Sequence, residues 1–165
     1  MSLMSQSISL YKLLASHNLF NKKINFGLKR IKLALSKLDH PEEKLSNVIQ
    51  IIGSDGKFSL LANLKYFIEA NNQTVSTHIS PSLRDIKERF WMGDRYLTHE
   101  EIRKTIKVIE KLNIPLTVYE VLTLIFIINA AKRKNAYVIM EAGCGWRLDS
   151  NNVINFPLAQ AVVNI

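Results

Sequence analysis

The stretch VIQIIGSDGKFS, residues 48–59, decides the fold. An apolar run ends at Ile52, and a turn with glycines at Gly53 and Gly56 leads to a single lysine, Lys57. Beyond the turn, apolar residues recur at helical spacing, namely Leu60, Leu61, Leu64, Phe67 and Ile68. The pattern predicts a strand over 47–52, a glycine turn, and a helix over 57–70.

A strand, a glycine turn and a helix in this order form the geometry that cradles phosphate. The glycines let the backbone approach the oxygens, the helix N-terminus presents free N–H groups, and the lysine neutralises charge. The general phosphate-loop pattern also needs a glycine five residues before Gly56, where this chain has Ile51. By itself, such a turn is therefore more often an ordinary turn that carries a surface lysine than a nucleotide site.

Length and composition predict one cytoplasmic domain with a real core. The chain has 165 residues, 47% apolar and 22% charged. The single cysteine, Cys144, excludes a disulfide framework and a cysteine-built zinc site. The longest apolar run, over 121–131, is too short to cross a bilayer, and no signal-peptide pattern opens the sequence. We therefore expect no membrane partner.

The net charge of +8 is concentrated near the N-terminus. Residues 1–37 carry seven basic side chains and no acidic one. Within this segment Leu28, Ile31, Leu35 and Leu38 share one helical face, and Lys29, Arg30, Lys32 and Lys37 point away from it. The charges fit a nucleic-acid or anionic membrane surface, or the solvated face of a packed helix. We favour the packed helix, because no aromatic residues interleave with the charges of residues 28–38 as a nucleic-acid stacking platform requires.

The remaining chain alternates between helices and strands. Helices are predicted over 8–16 and 27–38, and two further helices begin at capping boxes, Thr98 with Glu101 and Thr117 with Glu120. Strands are predicted over 74–79, 136–140 and 161–165, and a long connection covers 80–97. Glu141 follows the apolar strand 136–140, at the edge where open α/β sheets bind ligands; the plainer alternative is a salt-bridged strand end. The order predicts an α/β fold.

Four motifs in one order resemble the N-terminal part of the folylpolyglutamate and dihydrofolate synthases, members of the Mur ligase superfamily. The family pattern Gly-Thr-Asn-Gly-Lys-Gly-Ser is matched by residues 53–59, and its Thr-Ser-Pro-His-Leu loop and Arg-Glu-Arg segment by 79–83 and 87–90. A Thr-x-Phe-Glu helix start is matched by 117–120, and the final Glu-Val-Gly-x-Gly-Gly-Arg-Leu-Asp-x-Thr-Asn-Val pattern by 141–153. The resemblance covers nearly the whole chain.

The resemblance implies a P-loop-containing, three-layer, mostly parallel sheet like the Mur ligase central domain. It also implies an ATP-dependent amide ligase that uses magnesium and joins glutamate to a folate or dihydropteroate.

By motif position, the ATP-binding residues are Gly53, Ser54, Asp55, Gly56, Lys57 and Ser59. The metal ligands are Ser80 and Glu141, and the pterin-side residues are Thr117, Tyr119 and Asp149. For these last three, a helix cap, a packed tyrosine and a loop-fixing aspartate are equally good readings.

The chain also departs from the family pattern. Asp55 stands in place of an asparagine, Phe58 in place of a loop glycine, and Trp146 in place of the second glycine of a pair. The resemblance implies a single partial ATP-binding domain over 1–165, with a basic helical segment over 1–40 and the sheet over 47–165. We expect the sheet to be incomplete at its C-terminus and the C-terminal glutamate-binding domain to be absent. The expected functions are therefore the ATP-binding portion of the ligase or a non-catalytic remnant.

Overall fold

A five-stranded sheet forms the centre of the structure, a computed structural model that describes Leu14 and residues 26–164. Its strands are β1 (Val48–Ile52), β2 (Val75–His78), β3 (Phe90–Trp91), β4 (Tyr137–Glu141) and β5 (Ala159–Val162). They lie in the order β3-β2-β4-β1-β5, and every neighbouring pair is parallel except β2 with β3. The predicted mostly parallel α/β sheet is confirmed.

Within the described residues, four α-helices cover the two faces of the sheet. They are α1 (Lys29–Lys37), α2 (Lys57–Ala70), α3 (His99–Glu110) and α4 (Val118–Arg133), and short 3-10 helices span Pro41–Lys44 and Ile86–Arg89. One core joins α1, α3 and α4 to the sheet, and a smaller core joins α2 to the opposite face. The molecule therefore has three layers. None of the helices that the structure describes is long and apolar enough to cross a membrane.

Both predicted capping boxes are present and begin the helices as expected. The Thr98 hydroxyl accepts from the Glu101 N–H, and the Thr117 hydroxyl accepts from the Glu120 N–H, each over 3.2 Å. Helix α4 is buried from Glu120 to Ala130, as its apolar sequence predicts. Helix α4 shares a core with Val48 of β1 and with Val138 and Met140 of β4, so it supports the strands that lead to the site.

Three details of the predicted elements differ from the structure. The connection over 80–97 contains a 3-10 helix and the two-residue strand β3, which is too short to give a periodic signal. The last strand is Ala159–Val162 instead of 161–165. Phe67, predicted on the apolar stripe of α2, is 61% exposed, and Leu61 is the buried residue of that helix. The predicted helix over 8–16 lies outside the described residues except for Leu14.

Helix α1 packs as predicted, with one correction to its charged face. Ile31 and Leu35 are buried, and Leu28 and Leu38 pack against the same core. Arg30, however, does not project into solvent, because its Nε donates to Glu120 Oε2 over 3.1 Å. This ion pair joins α1 to the first turn of α4, so Arg30 serves the packing of the two helices.

Candidate nucleotide-binding site

The loop between β1 and α2 has two glycines that the backbone requires. Gly53 has φ +139°, and a Cβ there would lie 2.6 Å from Val163 Cγ2 and 2.9 Å from the carbonyl oxygen of Asn164. Gly56 has φ +80° and occupies the N-cap position of α2. The loop is therefore a tight turn, pressed against the segment that follows β5, that ends at a helix N-terminus.

Lys57 folds back over this loop. Its ammonium donates to the carbonyl oxygens of Gly53 and Ser54, each over 2.8 Å. Ser59 lies in the first turn of α2, and its side chain is exposed, as is that of Asp55. The positive charge of Lys57 and the free N–H groups of the helix start lie together, which is the arrangement that attracts phosphate.

Ser80 and Glu141 lie side by side because β2 and β4 are neighbours. His78 of β2 pairs with Met140 of β4. Strand β2 ends two residues before Ser80, and β4 ends at Glu141. The Ser80 N–H donates to Glu141 Oε2 over 3.1 Å. Burial raises the pKa of the Glu141 carboxyl, and this N–H together with the charges of Lys57 and Arg89 opposes the rise in pKa. The charges of Lys57 and Arg89 thus both favour the ionised form of this carboxyl.

A buried arginine next to this pair was missed by the sequence reasoning. Arg89 is 7% exposed, and its Nη1 donates to the Ser80 hydroxyl over 3.2 Å. It stands at the end of the 3-10 helix that precedes β3. The family pattern quoted above contains this arginine, but only the three-dimensional arrangement shows that it reaches Ser80.

One cavity of about 550 Å³ brings these groups together. Its lining includes the loop residues Ser54, Asp55, Gly56 and Lys57 with Phe58, and also Ile79, Ser80, Pro81, Leu83, Glu88, Tyr96 and Glu141. The size is that of a small-molecule site. A hydroxyl and a carboxylate are hard oxygen donors that fit magnesium, which takes its remaining ligands from phosphate and water. The donor set thus fits the implied metal.

None of the three predicted pterin-side residues lines this cavity, although Tyr119 contacts its lining residue Ser80. Thr117 caps α4 and is 9% exposed. Tyr119 packs against Gly143, and its hydroxyl accepts from Asn151 Nδ2 over 3.1 Å. Burial raises the pKa of Tyr119 above its ordinary value, and the Asp149 carboxylate adds to the increase. Its hydrogen bonds to Ser80 and Asn151 oppose the rise in pKa.

Asp149 fixes the loop that follows β4. Its carboxylate accepts from the backbone N–H groups of Gly143, Cys144 and Asn151 over 2.9, 3.0 and 2.8 Å. Burial raises the pKa of this carboxyl, and the three N–H donors oppose the rise in pKa. These contacts are those of a loop-fixing aspartate. A role on the pterin side stays a prediction.

The fold and loop define a class of protein, the three-layer α/β domain with a phosphate-loop-type turn after β1, which lies between β4 and β5 in the sheet. No protein-family model matches the chain. Among curated proteins, it is 28% identical over 148 residues to the dihydrofolate synthase/folylpolyglutamate synthase of Bacillus subtilis, with 84% of the chain covered. The chain spans about a third of the length of such relatives, 34% in this case.

Solved structures of the same synthases also match the chain. E. coli FolC in complex with DHPP and ADP matches with 26% identity and a TM-score of 0.83, over 99% of this chain and 38% of that one. The bifunctional synthase from Yersinia pestis, complexed with AMPPNP and Mn ion, matches with 25% identity and a TM-score of 0.84, over 98% and 38% of the two chains. The chain is thus a partial relative of the folylpolyglutamate and dihydrofolate synthases.

Proposed function

We propose that the chain supplies the ATP-binding part of an ATP-dependent folate ligase. The observation that carries this proposal is the shared cavity, where the Lys57 loop faces Ser80 and Glu141. The relatives support it, since they are named dihydrofolate and folylpolyglutamate synthases and their structures are described with ADP or AMPPNP. In this proposal the loop N–H groups and Lys57 hold the phosphates, and Ser80 and Glu141 hold the metal.

The chemistry that such a cavity supports is carboxylate activation. A carboxylate oxygen attacks the terminal phosphorus of ATP, a P–O bond forms, and the bond to the bridging oxygen breaks, so that ADP leaves with that electron pair. The amine of glutamate then displaces phosphate from the acyl phosphate. Lys57 and the magnesium ion would stabilise the charge on the transferred group. The acceptor would be a folate or dihydropteroate, the ligand type implied by the relatives' names.

A second candidate is a binding module that holds ligands without turnover. The observation that favours it lies in the loop itself, where the Asp55 carboxylate borders the cavity in which phosphate oxygens would lie. Like charges in proximity repel, which weakens nucleotide binding. The two candidates therefore differ in how strongly the loop binds a nucleotide and in whether the chain completes a reaction.

Calorimetry with magnesium-ATP tests the nucleotide site. We expect the unmodified chain to bind magnesium-ATP. Lys57→Met should weaken this binding by about tenfold or more, because it removes a charge-assisted contact to phosphate. Lys104→Met is the matched control, because Lys104 is an exposed lysine paired with Glu100 on α3, outside the cavity. Equal binding by the two variants, or no binding by the unmodified chain, would contradict the proposal. Release of ADP with folate and glutamate present would favour the ligase, and nucleotide binding without ADP release would favour the binding module.

A further inference from the structure

A network of hydrogen bonds connects the two candidate metal ligands, Ser80 and Glu141. Arg89 Nη1 donates to the Ser80 hydroxyl oxygen over 3.2 Å, and the Ser80 hydroxyl is in turn hydrogen-bonded to the hydroxyl of Tyr119. The Tyr119 hydroxyl also donates to the main-chain carbonyl oxygen of Glu141, over a longer distance of 3.5 Å. The network thus joins Ser80 to Glu141 through Tyr119, a residue that does not itself line the cavity.

Asn151 completes this network from the loop that follows β4. Its side chain is buried, and its Nδ2 donates to the Tyr119 hydroxyl over 3.1 Å and to the Glu141 carbonyl oxygen over 2.7 Å. In the family pattern quoted above, a phenylalanine stands in place of Tyr119 and a threonine in place of Asn151. Two departures of this chain from the pattern therefore contact each other, and a phenylalanine could make none of the hydrogen bonds of Tyr119.

The ring of Tyr119 is held in place by its surroundings. A Cβ on Gly143 would overlap this ring, so the ring occupies the space that the missing side chain leaves. The His78 ring lies 6.3 Å from it, centre to centre, at an angle of 31°. Tyr119 also belongs to the first turn of α4, which the capping box of Thr117 fixes. Because packing fixes the ring, its hydroxyl is preorganised next to Ser80.

The hydrogen bonds determine which way the Ser80 hydroxyl points its hydrogen. A serine hydroxyl has one hydrogen to donate and two lone pairs that accept. The Arg89 guanidinium can only donate, so it occupies one lone pair of the Ser80 oxygen. The Glu141 carbonyl can only accept, so it takes the Tyr119 hydrogen, and the Ser80 hydrogen is the one shared between the two hydroxyls. Among the described contacts, the second lone pair of Ser80 is left for the cavity that this residue lines.

We propose that Tyr119 is a positioning residue for the metal, whose hydroxyl orients the Ser80 hydroxyl so that its oxygen presents a lone pair to a divalent cation. This inference rests on the proposed function, in which Ser80 and Glu141 hold the metal. It gives the Tyr119 hydroxyl a role on the metal side, distinct from the pterin-side role that the resemblance implies. Without the phenol oxygen, the Ser80 hydrogen loses its acceptor and can turn towards the cavity, where it would face the cation.

Binding of Mn²⁺ to the chain without nucleotide, measured by electron paramagnetic resonance, tests this inference. Mn²⁺ prefers the same oxygen ligands as magnesium. We expect Tyr119→Phe to weaken Mn²⁺ binding about threefold to tenfold, the lower range for loss of a residue that orients a metal ligand, because Arg89 still contacts Ser80. Tyr137→Phe is the matched control, because Tyr137 begins β4 at the end opposite Glu141 and does not line the cavity. It should change the affinity by less than about twofold.

The Ser80→Ala variant separates positioning from a general structural effect of Tyr119. If Tyr119 acts through the Ser80 hydroxyl, adding Tyr119→Phe to Ser80→Ala should change Mn²⁺ affinity by less than about twofold. A loss as large in that background as in the unmodified chain would overturn the inference. Complete loss of Mn²⁺ binding in Ser80→Ala would itself place the affinity at Ser80, and the comparison of Tyr119→Phe with Tyr137→Phe then decides.

Calorimetry of the same proteins with ATP keeps this inference apart from the proposed function. No Mn²⁺ binding by the unmodified chain, or equal Mn²⁺ affinities of Tyr119→Phe and Tyr137→Phe, would overturn the inference, and ATP binding would then leave the nucleotide site intact. Mn²⁺ binding that Tyr119→Phe weakens, in a chain that does not bind ATP, would support the positioning role and overturn the proposed function.

Discussion

The Lys57 ammonium and the Glu141 carboxylate face the same cavity at one edge of the sheet. They meet because β1 and β4 are paired neighbours, with Ile51 opposite Glu141, and the loop that carries Lys57 leaves the sheet at that point. The lysine charge lowers the pKa of Glu141, against the increase that burial causes. The burial of this acid at the end of β4 therefore has a cost in folding stability.

The raised pKa of Glu141 gives a prediction for stability. A carboxyl whose pKa is higher in the folded state binds more protons when folded, so stability falls as the pH rises from about 4.5 through the folded pKa. At pH 7 the buried charge is present, and Glu141→Gln should raise the melting temperature, by about 2–4 °C for each kcal/mol gained. Thermal unfolding of both proteins at pH 7 measures this change in melting temperature. An unchanged or lower melting temperature would contradict this account.

Much of the fold could be predicted because its signals are local. The apolar runs of β1 and β4, the glycine turn and the two capping boxes each depend on residues close in sequence. The shared cavity could also be predicted, because the ends of neighbouring parallel strands meet at one edge. The placement of Ser80 beside Glu141 needed the family resemblance, since nothing in the residues near Ser80 predicts a ligand.

The features that the sequence did not predict depend on distant contacts. Arg89 and Ser80 come together only when the 3-10 helix folds back over the end of β2. Phe67 shows a helical apolar pattern and yet stays exposed, because the small core under α2 is filled by Leu61 and its neighbours. Arg30 looks like an outer-face charge until α4 places Glu120 against it. Periodicity predicts a face of a helix but not what covers it.

Asp55 offers a direct test of the nucleotide loop. Its exposed carboxylate borders the cavity, so removing its charge should strengthen binding of magnesium-ATP. We expect Asp55→Asn to increase affinity about twofold to fivefold, the range for an exposed charge pair. Calorimetry measures the change, with Asp94→Asn as an exposed acid outside the cavity. An equal gain in both variants would show a general charge effect, and the loop would then not bind the phosphates.

The ion pair between Arg30 and Glu120 should contribute to stability. Glu120 has a side chain only 4% exposed, accepts from the Thr117 N–H over 2.7 Å, and contacts Arg30 Nε over 3.1 Å. Removing the guanidinium leaves a buried carboxylate without that contact, so Arg30→Met should cost about 1–3 kcal/mol. Lys32→Met, which removes an exposed cation of the same helix, should cost less than about 0.5 kcal/mol. Denaturant unfolding at pH 7 compares them, and equal costs would rule out a structural role for Arg30.

His78 should make the protein sensitive to mild acid. Its ring is completely buried, lies between Phe90 and Phe126 at 5.7 and 5.1 Å, and donates from Nδ1 to the carbonyl of Arg89. Burial lowers its pKa to about 3, and the nearby Arg89 charge adds to the decrease. The unfolded chain binds a proton below about pH 6.5 and the folded chain does not, so stability falls as the pH drops through that window.

A denaturant series from pH 7.5 to pH 5 measures this effect of His78. Each pH unit below about 6.5 should remove up to about 1.4 kcal/mol of unfolding free energy. His78→Phe keeps an aromatic ring in the stack but loses the hydrogen bond to Arg89, so its unfolding free energy at pH 7 should fall by about 1 kcal/mol. Because phenylalanine cannot titrate, its unfolding free energy should change less with pH. His40→Gln removes an exposed histidine whose pKa is raised by Glu42, so it should keep the steep slope. A slope as steep in His78→Phe as in the unmodified chain would mean that other groups cause the acid sensitivity.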